Sequence, residues 1–209
     1  LHLLSRRQRQ MCIRDSYKIL FYLPAICTST IVGTVFSKIF ETNRGYLNVI
    51  LRALHLDFLC QQWLATPKTA LACLLFVNIW QWTGYSMLMY YTNMLNIPQD
   101  LYESATIDGA GSFKQFIYIT FPLLRGTHIT LIILDILGAL KFFDLSYVLT
   151  DGGPAHATET FSTYIYTKSF STFQQGQAST IVVFMFLIAM VLTVIQLKIY
   201  YKKDRKEMN

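Results

Sequence analysis

Four long apolar runs constrain this chain more than any other feature. They lie near residues 19–40, 69–95, 127–149 and 179–201, and each reaches the roughly 20 residues that a helix needs to cross a bilayer. A lone spanning strand would leave its backbone groups unpaired in lipid, so each run is expected to be helical. A β-barrel would show many shorter alternating segments instead. The composition agrees: 53% of the 209 residues are hydrophobic and only 14% are charged, against about 25% charged in a soluble domain. The expected fold is an all-α membrane protein, a polytopic helical bundle with about four transmembrane helices.

Charge placement orients the bundle. Lys202, Lys203, Arg205 and Lys206 follow the last apolar run directly, which reads as a cytoplasmic anchor rather than a nucleic-acid patch. Counting back from that tail puts 96–126 inside and 41–68 and 150–178 outside. Lys18, Lys114, Arg125 and Lys198 join the tail on the inside; Arg44, Arg52, Lys68 and Lys168 fall outside. Trp63, Tyr200 and Tyr201 sit at run ends, where interfacial aromatics are expected.

Between the second and third runs lies a stretch with fixed spacings. Glu103, Ser104 and Ala105 are followed, after three intervening residues, by Gly109; nine further residues separate Gly109 from Ile119, and Phe121-Pro122 come after one more. Pro98 stops the preceding segment, and Asp100 with Glu103 resembles a capping box. Gly109 and Gly111 bracket a turn, with Gly109 suited to positive φ, and Phe113, Phe116 and Ile117 then recur at helical spacing. Two short helices at an angle are expected, projecting from the membrane face.

This pattern resembles the cytoplasmic EAA loop of ABC importer permeases, with Ser104 in place of an Ala and Phe121 in place of Leu. The resemblance implies that Glu103, Ser104, Ala105, Asp108, Gly109, Ala110, Ile119 and Pro122 couple the bundle to a separate ATPase. Further segments are similar to the maltose-type carbohydrate permeases, specifically the first of their two permease subunits. They are Asn43-x-Gly45-x-x-Asn48, Leu101-Tyr102-Glu103, Ile107-Asp108-Gly109-Ala110, the run Phe143-Asp144 to Thr150, Gly152-Gly153-Pro154 and Thr158-Glu159-Thr160. The likeness covers about residues 17–202. It implies a binding-protein-dependent permease of the bacterial cytoplasmic membrane, multi-pass with a cytoplasmic C-terminus, importing a sugar or related polyol. The implied partners are a second homologous permease, two ABC ATPase subunits, an extracytoplasmic solute-binding protein and the lipid bilayer. ATP and Mg would be used by the partner ATPase, with no cofactor bound here. A permease for a non-sugar solute, or a secondary transporter or channel, remains open.

Polar groups at membrane depth are candidate pathway residues, since a charge at a helix centre costs about 2.5–3.5 kcal/mol on insertion scales. Asp135 lies about 12 Å along a helix from Thr127 and has no local partner in sequence. Lys141 and Asp144, three apart, are either pathway residues or a structural ion pair on one helix face. Asn78, Gln81 and Trp82 in the second run offer the amides and aromatic surface that suit a sugar, or hydrogen bonds that merely hold helices together.

Cys12, Cys27, Cys60 and Cys73 have neither disulfide nor metal spacing. There is no GxxxxGK[ST] phosphate loop and no nucleophile–base pattern, so the chain is not expected to be an enzyme. Residues 1–16 are basic, lack a signal-peptide h-region and resemble translated adapter sequence. They are expected to be non-native, with 17–202 forming an N-terminally truncated permease domain and 203–209 a basic tail. The permeases it resembles usually carry six spans.

Overall fold

The computed structural model describes residues 17–207. The expected non-native segment 1–16, with Cys12, lies outside the described residues, as do the side chains of Tyr200, Tyr201 and the basic tail. The helices are α1 (Tyr17–Ile26), α2 (Ser29–Ile39), α3 (Tyr46–Ala53), α4 (Pro67–Met94), α5 (Gln99–Ile107), α6 (Ser112–Leu123), α7 (Arg125–Leu140), α8 (Asp144–Thr150), α9 (Phe161–Tyr166) and α10 (Gln175–Glu207). The all-helical expectation is met.

The spans themselves differ from four uninterrupted helices. Within α10, Gln175–Lys198 is by itself long and apolar enough to cross a membrane. The first run breaks into α1 and α2 with a bend of 96°, and α6 meets α7 at 63°; each pair is apolar enough only when taken together. At 1.5 Å per residue, the 16 residues of α7 span about 24 Å, short of a hydrocarbon core of about 30 Å. The 28 residues of α4 have the length, but Asn78, Gln81, Thr83 and Ser86 interrupt its apolar run.

The third run is not one helix over 127–149. It stops at Leu140 and resumes at Asp144, because Phe143 takes the non-helical angles φ −129° and ψ −64°. Two hydroxyls from further along the chain hold the break open: Thr160 Oγ1 donates to the Phe142 carbonyl at 2.6 Å and Ser162 Oγ to Leu140 at 3.4 Å.

The chain divides into two compact units, described in turn. One comprises Leu23–Trp82 and Leu137–Val191. Its core joins Val32, Phe40, Cys73, Leu74, Val77, Leu145 and Leu149, with Phe36, Leu47, Trp63 and Phe142 packed around it. Gly33 lets α2 lie close on α8, since a Cβ there would stand 3.1 Å from Val148 Cγ1. The segment after α3 is pinned by Asn48, only 2% exposed. Its Nδ2 donates to the carbonyls of Thr42 (2.9 Å) and Gln61 (3.1 Å), and its Oδ1 accepts from Trp63 Nε1 at 2.8 Å. Trp63, expected as an interfacial anchor, therefore has its indole N–H committed to Asn48. The Gly152-Gly153-Pro154 turn folds back on α8: Thr158 Oγ1 donates to the Gly153 carbonyl (2.7 Å), and Ser146 Oγ to that of Thr158 (2.6 Å).

The second unit contains 17–22 and Thr83–Ile136. Here α1 and α4 touch backbone to backbone, because a Cβ on Gly84 would fall onto the Phe21 carbonyl oxygen. Lys18 Nζ sits 3.9 Å from the centroid of the Tyr91 ring, a cation–π contact. From α4 the chain passes into the α5–α6 hairpin.

Candidate functional site: a helical hairpin and its elbow

The stretch singled out by its spacings forms the expected pair of short helices. Pro98 is the N-cap of α5 and makes no side-chain cap bond. Asp100 is thus inside the first turn, and the expected Asp100–Glu103 capping box does not form. Asp100 instead places its charge at the positive end of the helix dipole.

The turn after α5 follows a strict hydrogen-bond logic. Asp108 is the C-cap and Gly109 follows with φ +76°. The Gly109 N–H donates to the Thr106 carbonyl (3.0 Å) and the Ala110 N–H to that of Ala105 (2.8 Å). These are the two bonds of a Schellman motif, which satisfies carbonyls that a helix end leaves without partners. The spacing of Ala105 from Gly109 is the spacing of such a cap. No atom lies within 4 Å of a Cβ built on Gly109, so it is the backbone angle, not crowding, that calls for glycine.

Cross-links then hold the hairpin together. Gln115 Nε2 donates to Thr106 Oγ1 at 2.9 Å and to the Ala110 carbonyl at 3.1 Å. Nearer the membrane runs, Tyr102 Oη meets Thr120 Oγ1 at 2.9 Å, with Thr120 buried. Sequence reasoning missed Gln115, Thr106 and Thr120 and named Tyr102 only within the carbohydrate-permease likeness. Phe116–Thr120 form a π-helical turn just before Pro122. Widening the helix there suits a residue that lacks an N–H and crowds the carbonyl four residues back.

Glu103, Ser104, Asp108 and Gly109 are exposed, Ala105, Ala110 and Ile119 half-buried, and Pro122 exposed. Around them stand bare apolar side chains: Ile107 is 86% exposed, Phe113 76% and Tyr118 77%. All eight coupling candidates thus belong to one hairpin.

The pathway candidates divide between the two units. Asp135 is exposed on α7 within the hairpin's unit, whereas Asn78, Gln81, Trp82, Lys141 and Asp144 belong to the other unit. Lys141 and Asp144 are both exposed and flank the helix break, so they are not neighbours on one helix and form no salt bridge. Gln81 is 1% exposed, and its Nε2 donates to the Cys27 carbonyl (3.1 Å) and Ser29 Oγ (3.3 Å). It clamps the break between α1 and α2, where Thr28 takes extended angles and caps α2. Its Oε1 is buried without a partner. Asn78 is half-buried and Trp82 exposed. Among the described residues no group of His, Cys, Asp or Glu could hold a metal ion.

A family model, the binding-protein-dependent transport system inner membrane component, matches residues 4–205. The chain belongs to this family. It is a permease component and not an enzyme. A probable ABC transporter permease of Bacillus subtilis, YurN, is 34% identical over 91% of this chain and 65% of its own length. The trehalose/maltose transport permease MalF of Thermococcus litoralis is 32% identical over 89% of this chain and 62% of its own. A crystal structure of a bacterial ABC transporter that imports the acidic polysaccharide alginate shares the fold, with a TM-score of 0.82 at 23% identity. It covers 91% of this chain and 66% of that one. The chain spans about two thirds of the length of these relatives.

Proposed function

We propose that this chain is the membrane-embedded permease subunit of an ATP-driven importer, translocating a sugar or related polyol handed over by an extracytoplasmic binding protein. It works with a second homologous permease and two ATPase subunits, which alone use ATP and Mg. The observation that carries this reading is the α5–Gly109–α6 hairpin: a cross-linked lever with exposed apolar tips, continuous through its elbow with α7. Closing of the ATPase dimer pulls the hairpin and favours an outward-facing bundle; hydrolysis and release restore the inward-facing state. That is a two-state equilibrium biased by differential binding.

In this reading about four spans cross the bacterial cytoplasmic membrane: α1 with α2, α4, α6 with α7, and α10. The hairpin and the C-terminal tail are cytoplasmic, as the distribution of positive charge favours. The sugar assignment draws on relatives whose names specify trehalose/maltose and arabinooligosaccharides and on the alginate transporter, also solved with a periplasmic protein carrying an alginate pentasaccharide. Asp135 is the leading pathway residue, since an exposed carboxylate on a membrane helix needs water, substrate or a partner subunit to face. Asn78, Trp82 and the unpartnered Gln81 Oε1 are further contacts, with Lys141 and Asp144 at the outer mouth.

The test is ATP-driven uptake of labelled sugars by the complete importer in proteoliposomes, wild type against Gly109→Pro. Proline's φ near −65° cannot replace +76°. Lost uptake with all subunits still assembled supports the coupling role. Unchanged uptake overturns it, and absence of sugar uptake in wild type redirects the substrate to another solute.

A further inference from the structure

We propose that His128 is the positioning residue that stiffens the elbow between the coupling hairpin and the spanning helices, an inference that rests on the importer reading above. The elbow is the 63° bend between α6 and α7, centred on Leu124 with ψ +7°. One helical turn beyond it, His128 uses both faces of its ring. Nε2 lies 3.2 Å from the Phe121 carbonyl and Nδ1 lies 2.8 Å from Tyr90 Oη.

A carbonyl oxygen only accepts, so Nε2 carries a proton and donates to Phe121; Nδ1 and the Tyr90 hydroxyl share the second hydrogen bond, as acceptor and donor when the proton of the ring sits on Nε2 alone. The Phe121 carbonyl is in the last turn of α6, one of the acceptors a helix end leaves unsatisfied. The rings pack as well: the His128 centroid lies 4.6 Å from that of Phe121 and 5.2 Å from that of Tyr90. One imidazole thus ties α4, the end of α6 and the start of α7 together. Backbone bonds alone would leave the bend free to open and close, and a displacement of the hairpin would be absorbed there. With the three elements joined, it is passed to both α4 and α7.

Two measurements decide the proposal, both on the complete importer with subunit assembly checked. The first is ATP hydrolysed per solute taken up. His128→Leu is expected to raise this ratio about fivefold, the factor that one ordinary hydrogen bond is worth. His128→Gln, which returns an amide donor near the Nε2 position, is expected to recover most of the coupling, and Tyr90→Phe to fall between. An unchanged ratio in His128→Leu, or a Gln variant no better than Leu, overturns the proposal, because a filler role would not separate them.

The second measurement needs no transport. Spin labels replace the exposed Tyr118 and Leu134, one on each side of the elbow, in a cysteine-free background. The distance distribution is expected to broaden in His128→Leu and to narrow again in His128→Gln; equal widths overturn the proposal. If wild type shows no ATP-coupled uptake of sugars or of any other solute tried, the importer reading fails, and the spin-label result still decides the elbow.

Discussion

Replacing Asn48 by Asp changes one NH2 group to oxygen in nearly the same volume, and so isolates the buried clasp after α3. In the wild type, Nδ2 serves two carbonyls, Thr42 at 2.9 Å and Gln61 at 3.1 Å, while Oδ1 holds the Trp63 indole at 2.8 Å. The substitution keeps the indole contact and removes both donations. A buried acceptor left unmade costs about 1–3 kcal/mol, so two cost about 2–6 kcal/mol, and the new carboxylate faces two carbonyl dipoles. Burial and those dipoles raise its pKa in the folded state above the usual value of about 3.9. The folded variant therefore holds a proton that the unfolded one has released, and its stability falls as pH rises between the two values. The assay is amide hydrogen exchange across residues 41–66 in the purified complex. At about 1.4 kcal/mol per tenfold, protection should drop about 30-fold or more at pH 7, and the loss should shrink on acidification. A change of less than about twofold at pH 7 would refute the reasoning, since it would mean that these bonds carry under about 0.5 kcal/mol.

Gly84→Ala should reduce the yield of assembled subunit and lower its thermal stability. The added Cβ meets the Phe21 backbone, and such overpacking costs about 1–3 kcal/mol. Gly138→Ala, inside α7 with nothing within 4 Å of the new Cβ, serves as the clash-free control in the same melting experiment and should be unchanged or slightly stabilised by helix propensity. Gln115→Ala removes both ties across the hairpin turn. It should speed exchange of the Gly109 and Ala110 amides about tenfold, equivalent to about 1.4 kcal/mol, and exchange at the wild-type rate would show that the Schellman bonds need no support.

The hairpin was legible because its determinants are local. Ala105, Gly109 and Ala110 make their decisive bonds within five residues of one another, so the spacing itself encodes the turn. Its bracing was less legible: Tyr102 and Thr120 are 18 apart, and Tyr90 and His128 are 38 apart. Nothing in either residue's neighbourhood announces the other. Gln81 shows the same limit, since an amide on an apolar run suits a pathway or a clamp equally until Cys27, 54 residues earlier, is found beside it. The third run misled for a related reason. Residues 141–143 contain no glycine or proline, and the hydroxyls of Thr160 and Ser162 that hold the helix apart come from well beyond the run.

The contrast between α10 and the bent pairs bears on how the chain is made. Gln175–Lys198 satisfies the apolar requirement alone, and only 6% of it is buried against the rest of the chain. An insertion machinery reading one segment at a time would release it into lipid without help. The two bent pairs carry their apolar length across a break, and α4 carries the buried Gln81 amide, so each gains stability beside a neighbour. Translation therefore delivers the segments that need companions before the one that needs none. The early segments therefore depend on contacts with one another in the interval before α10 emerges.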